Sequence, residues 1–356
     1  MNSILFSPTE IGPLQLQNRI VMSPMTRNRA IGNIPNESMA TYYGQRSSAG
    51  LIITEGTSPS ANGLGYPRIP GLFTMAQLAG WKKVTDAAHA GGAKIFIQLM
   101  HTGRVGHPLN LPTGGRILAP SAIAAPGQIW TDQEGMKDHP VPDAMTEDQV
   151  MSAMNEFVES SKLAREAGFD GVELHGANGY LIDQFLNTAS NHRTDRFGGS
   201  IQNRIRFLVE TATKVAAVIG PERVGVRISP YGVFNGMQTD AEMDALYVEL
   251  IRALNSLKLA YVHVVDHSSM GAPPVSPDLK AAIRKEFKGA YVLSGGYDLN
   301  RATEDLNSQK GDLVAFGRPF ISNPNLPEKL KTGAALTAPD PETFYTPGEK
   351  GYTDYR

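Results

Sequence analysis

Short apolar runs alternate along this chain with stretches in which apolar residues return every three or four positions, and glycine or proline marks many of the joints. Eight runs predict buried strands: residues 19–25, 51–55, 94–99, the run between Gly168 and Gly176, 223–229, 260–265, 290–294 and 312–316. Helical spacing predicts helices over 36–48, 75–90, from Thr146 onward, and over 200–219, 240–257, 277–287, 301–307 and 325–331. Their start and stop signals have physical causes. Asn36 and Ser200 offer side-chain oxygens to unpaired amide groups of a first turn, and Thr146 with Gln149 three residues later forms a capping box. Gly91-Gly92 and Gly220-Pro221 stop the helices they follow.

Most of the eight strands are followed by a helical segment, which implies parallel pairing through right-handed crossovers. Eight such units predict a TIM (β/α)₈ barrel rather than an open doubly wound sheet, and no Gly-x-Gly-x-x-Gly turn follows the first strand. Residues 4–16, broken by Pro8, Gly12 and Pro13, predict an N-terminal hairpin that closes the bottom of the barrel. Residues 100–145 are too long and too rich in glycine and proline for a plain βα connection. They predict an inserted segment after strand 3, lying over the mouth of the site, within a single domain spanning 1–356.

Composition narrows the function. The 356 residues are 41% hydrophobic and 19% charged, with a formal net charge of −2 and no basic tract, which argues against nucleic acid and anionic membranes as partners. Cysteine is absent, so thiolate nucleophiles, disulfides and cysteine-bound zinc are excluded. No apolar run approaches the roughly 20 residues of a membrane helix, and residues 1–12 lack the pattern of a signal peptide, so a cytoplasmic protein is expected.

Three regions carry candidate chemistry. The fourth strand ends in His175, Asn178 and Tyr180, two hydrogen-bond donors and a phenol at the carboxyl end of a barrel strand, where active sites of this fold lie. Strands seven and eight end in Ser294-Gly295-Gly296 and Gly317-Arg318, glycine turns with a guanidinium at the fold's usual phosphate position. Their ligand is a phosphorylated substrate or a phosphate-bearing cofactor such as FMN. Thr26, Gly56, Gln98 and Arg227, at or near the ends of strands one, two, three and five, suit the edge of a flavin ring. Gln98 offers both a donor and an acceptor end, and Arg227 a positive charge for the pole that becomes negative on reduction.

These stretches resemble the Old Yellow Enzyme family of FMN-dependent ene-reductases. The resemblance rests on Ser23-Pro24-Met25-Thr26-Arg27, Gln98-Leu99-Met100-His101-Thr102-Gly103-Arg104, His175-Gly176-Ala177-Asn178-Gly179-Tyr180-Leu181, Asn191 to Ser200, Ser294 to Tyr297 and Phe316 to Pro319. It implies that Pro24, Met25, Thr26, Gly56, Gln98 and Arg227 line the flavin, and that Gly295, Gly296, Gly317 and Arg318 hold its phosphate. It implies further that NADPH or NADH reduces the flavin and leaves, and that a small activated alkene, an α,β-unsaturated carbonyl or a nitroalkene, then enters the same pocket. His175 and Asn178 would bind its oxygen, and Tyr180 would protonate it. Met100 stands where many members carry tryptophan, which would widen the substrate pocket. Residues 193–200, although highly charged, read as a network that fixes a loop and caps a helix. The competing readings are a metal-dependent hydrolase built on His175, His263, Asp266 and His267, and a flavin-binding protein without catalysis. Monomer and homodimer are both compatible with the sequence.

Overall fold

The computed structural model describes residues 3–356. Eight parallel strands close into a barrel: β1 (Ile20–Met22), β2 (Leu51–Ile53), β3 (Lys94–Leu99), β4 (Gly171–Gly176), β5 (Val224–Ile228), β6 (Tyr261–Val265), β7 (Ala290–Ser294) and β8 (Leu313–Phe316). Each pairs with its neighbours in chain order, and β8 returns to β1. Around them lie α1 (Glu37–Gly44), α2 (Met75–Ala90), α3 (Glu147–Glu166), α4 (Leu181–Leu186), α5 (Ile201–Ile219), α6 (Met243–Ser256), α7 (Pro277–Glu286), α8 (Leu299–Asn307), α9 (Arg318–Ser322) and α10 (Leu326–Thr332).

Local sequence accounts for most of these boundaries. Thr146 and Gln149 complete the expected capping box, and Ser200 accepts from the Asn203 amide at the start of α5. Along α5 the buried residues Ile205, Leu208, Ala212, Val215 and Ile219 recur at helical spacing and form the face turned to the barrel. Thr9–Ile11 and Leu14–Leu16 form the antiparallel hairpin predicted at the bottom, where Gly12 takes the turn at φ +52°. Its Ile11, Leu14 and Leu16 pack with Val21, Leu51, Phe96, Tyr261 and Val292 and seal that end with apolar surface.

Some elements differ from expectation. β1 stops at Met22 rather than 25: the Ser23 amide makes a last bond to the Phe316 carbonyl at 3.0 Å, and Pro24 has no amide hydrogen to continue the ladder. α4 and α9, of six and five residues, are too short to show a helical period, and neither has a side-chain N-cap to announce it. Within 100–145, Gln128–Thr131 pairs with Gly135–Asp138 as an antiparallel hairpin, and Leu118–Ala119 pairs in parallel with Asp143–Ala144. Among the described residues no helix is long and apolar enough to cross a membrane.

Candidate active site

Strand register assembles the floor of a cavity of about 1080 Å³ at the carboxyl end of the barrel. His175 on β4 lies opposite Arg227 on β5, which lies opposite His263 on β6, while Gln98 on β3 lies opposite Glu173. Glu173, fully buried, accepts hydrogen bonds from Gln98 Nε2 (2.7 Å) and Tyr261 Oη (3.1 Å) and is paired with His263 Nδ1 (2.9 Å). Burial opposes its charge, but His263, Arg227 and Gln98 together hold it below the ordinary carboxylate range. The sequence left both ends of the Gln98 amide open. Glu173 takes the donor end, so the cavity meets the Gln98 oxygen, an acceptor. Burial lowers the pKa of Arg227, with Glu173 acting against that shift, and its Nε has no hydrogen-bond partner among the described residues.

The loop after β4 presents the other three groups. Asn178 adopts φ +62° and Gly179 φ +75°, a left-handed pair that turns the chain sharply out of the strand. The Asn178 amide donates to Ser229 Oγ at 2.9 Å, and the Gly179 amide donates to Asp183 Oδ2 at 2.8 Å. Tyr180 follows as the first residue before α4. His175 is buried and neutral: burial, then the nearby Arg227, drives its pKa well below the usual histidine value. Its Nδ1 is sealed off without a partner among the described residues, which leaves Nε2 as the ring nitrogen open to the cavity. An unpartnered lone pair costs less than an unpartnered N–H, so the proton belongs on Nε2. Burial also raises the pKa of Tyr180, while a 3.0 Å hydrogen bond to the Tyr66 hydroxyl works in the opposite direction.

The residues singled out for the flavin and its substrate all line this one cavity: Pro24, Met25, Thr26, Gly56, Gln98, Met100, His175, Asn178, Tyr180, Arg227, Ser294, Gly295, Gly296, Gly317 and Arg318. Gly56 also leaves room for Met100, since a Cβ there would stand 2.5 Å from the Met100 sulfur. Sequence reasoning missed Tyr66, Glu173 in its orienting role, and the contact of His267, named there only as a metal candidate, whose Nε2 lies 2.7 Å from Asn178 Oδ1. A tyrosine within a Gly-Tyr-Pro turn carries no signal of what it faces. The mouth is formed by Trp130 and Met136 of the inserted hairpin and by Phe344 and Tyr345 of the C-terminal segment. Buried Arg29 holds that segment by donating to the carbonyls of Thr343, Phe344 and Lys350. Residues 193–200 stay outside the cavity; Arg193 pairs with Asp195, and Asp195 Oδ1 accepts from the Phe197 amide at 3.0 Å. The residues considered for a metal do not converge. His263 is paired to Glu173, His267 to Asn178 and Asp266 to Lys280, and no group of metal-ligating side chains gathers among the described residues.

The cradle suits an anion and a conjugated ring. Gly295 and Gly296 take φ +124° and +64° after β7, Gly317 opens the turn after β8, and exposed Arg318 follows it. The same cavity is lined by Arg227, whose buried guanidinium Nε has no partner among the described residues, and by the Gln98 amide, a set of groups that fits FMN. Fold and site together define a barrel flavin oxidoreductase. The sequence agrees: it matches the model of the NADH:flavin oxidoreductase / NADH oxidase family over residues 4–337. A Leishmania infantum protein named "Probable flavin mononucleotide-dependent alkene reductase" is 41% identical over 99% of this chain and 97% of its own. The structure of morphinone reductase is similar at a TM-score of 0.96 and 43% identity, covering 100% of this chain and 96% of that one. An old yellow enzyme homologue from Zymomonas mobilis matches at 0.94 and 41%, covering 99% of each chain. The chain belongs to the NADH:flavin oxidoreductase family, as an FMN-dependent alkene reductase of the Old Yellow Enzyme type with NADH or NADPH as reductant.

Proposed function

We propose that this enzyme reduces the activated C=C bond of α,β-unsaturated carbonyls and nitroalkenes, with His175 and Asn178 binding the substrate oxygen and Tyr180 supplying the proton. The observation that carries this reading is the convergence of those three side chains on the cavity that also holds the flavin cradle. FMN held by Gly295, Gly296, Gly317 and Arg318 would supply hydride chemistry at this site. As the substrate gains the hydride, negative charge gathers on the carbonyl or nitro oxygen. Neutral His175 donates through Nε2 without needing a charge of its own, and the Asn178 amide donates beside it. Both act where the protein has largely replaced water, so each hydrogen bond counts for more than it would in solution. Tyr180 is a neutral phenol at working pH, because burial has raised its pKa. It donates its hydroxyl proton to the α-carbon and regains one from solvent.

The test is anaerobic and spectroscopic. NADPH or NADH should bleach the flavin band, and 2-cyclohexenone should restore it. Tyr180→Phe should leave the bleaching within about twofold of wild type and slow the restoration by about 10²-fold or more, the range of general-acid contributions. Unchanged restoration would remove Tyr180 from the proton step.

A further inference from the structure

We infer that His267 is a positioning residue for the substrate's oxygen: it fixes which end of the Asn178 carboxamide faces the cavity. The inference rests on the proposed role of Asn178. An amide can anchor a developing oxyanion only through its NH₂ group, and a half-turn about χ2 would present the oxygen instead and repel it. Everything else about Asn178 is already fixed. Its amide donates to Ser229 Oγ at 2.9 Å, its carbonyl accepts from Asn235 Nδ2 at 2.7 Å, and its φ of +62° is a conformation asparagine tolerates and most residues do not. The remaining freedom is rotation of the amide plane, and among the described residues the one side-chain hydrogen bond of Asn178 is the 2.7 Å contact between its Oδ1 and His267 Nε2.

His267 is built to donate in that bond. It is 8% exposed and stands at the start of a short turn, His267–Met270, that follows β6. Asp266 accepts from the Ser268 amide at 2.9 Å and fixes the turn, while Phe234 packs edge-on against the imidazole with centroids 4.7 Å apart. With hydrogen on Nε2, the imidazole ties down Oδ1 and turns both N–H bonds of Asn178 Nδ2 away from itself, toward the cavity that Asn178 lines. Protonation of the ring would keep Nε2 a donor, so the arrangement does not depend on pH.

The test uses FMN-loaded enzyme and 4-hydroxybenzaldehyde, whose phenolate oxygen imitates the developing enolate oxygen; binding is read as a change in the flavin spectrum. Asn178→Leu should raise the dissociation constant about tenfold, the effect of losing one well-placed hydrogen bond to a charged oxygen. His267→Leu, which keeps an apolar partner for Phe234 but has no donor, should raise it comparably and raise KM for 2-cyclohexenone, with FMN content unchanged. His267→Gln retains a donor near the Nε2 position and should bind within about threefold of wild type. The Asn178→Leu/His267→Leu double variant should bind no more weakly than Asn178→Leu alone. Wild-type binding by His267→Leu, with Asn178→Leu weakened, would overturn the role of His267. Wild-type binding by Asn178→Leu would instead overturn the reading of Asn178 itself. Should His267→Leu fail to fold, ¹⁵N NMR of histidine-labelled wild-type enzyme decides: a proton on His267 Nε2 is expected, and a bare Nε2 would overturn the inference.

Discussion

Glu173 is the position where one substitution should be felt most widely. Its two oxygens receive Gln98 Nε2, Tyr261 Oη and His263 Nδ1, all within 3.1 Å, in a region fully closed to solvent. Glu173→Gln keeps the shape but replaces one acceptor oxygen with an NH₂ group. Turned toward Gln98 Nε2, the new NH₂ group meets another donor; turned toward Tyr261 and His263, it can donate to the Tyr261 hydroxyl but requires His263 to move its proton to Nε2, which is buried without a partner among the described residues. Each buried donor left unpaired costs about 1–3 kcal/mol, and Arg227 loses the negative charge that offsets its burial. The expected loss is roughly 3–5 kcal/mol. A chain of 356 residues unfolds with an entropy near 0.7 kcal/mol per kelvin, so the melting temperature should fall by about 4–7 °C. A second effect follows at the flavin site. With Glu173 neutral, the field of Arg227 is less compensated, so a bound flavin should become easier to reduce, and its midpoint potential should move to more positive values. Differential scanning calorimetry of the loaded enzyme measures the first effect, and anaerobic titration against a reference dye measures the second. A Glu173→Gln enzyme that melts within 1 °C of wild type, at an unchanged potential, would refute the claim that this carboxylate organises the floor of the cavity.

Two further outcomes follow from the same geometry. Tyr66→Phe removes the 3.0 Å hydrogen bond that counteracts the burial of the Tyr180 hydroxyl, so Tyr180 becomes a weaker acid. Reoxidation of the flavin by 2-cyclohexenone should slow by about tenfold with a larger solvent isotope effect, while reduction by NADPH or NADH is left near wild type; equal rates would show the contact to be idle. Glu55, fully buried beside Tyr43, has its pKa pushed up from 4.5 to about 7, mainly by burial. A carboxyl that titrates higher in the folded state favours folding while protonated, so its contribution is present below pH 4.5 and is lost as pH rises through about 7. That loss is roughly 3 kcal/mol, or about 4 °C in melting temperature between pH 5 and 8. Asp183, also raised to about 7 by burial, adds a loss of the same sign. Buried histidines such as His101 and His175, held below the usual value, contribute a slope of the opposite sign, so the Glu55 contribution is read as a difference: Glu55→Gln should gain about 4 °C on wild type between pH 5 and 8, and a constant gap between the two melting curves would contradict the assignment.

Much of this protein was legible in its sequence, for local reasons. The alternation of apolar runs with helical spacing, Thr146 with Gln149, and the stop at Gly220-Pro221 depend on neighbours along the chain, and those fix element type and order. Eight repeats of one unit leave few ways to bury both faces of every strand, so the closed barrel followed. Motif spacing likewise placed His175, Asn178 and Tyr180 together and the glycine turns at the ends of β7 and β8. The tertiary structure alone decided what those groups face. Register across β3, β4, β5 and β6 brought Gln98, Glu173, Arg227 and His263 together from far apart in the chain, and Glu173 then selected which end of Gln98 the cavity meets. Tyr66 reached Tyr180 across 114 positions, and His267 reached Asn178 across 89. A hydrogen bond needs atoms within about 3 Å and correctly aimed, and a linear sequence carries no such direction between distant residues until the chain is folded.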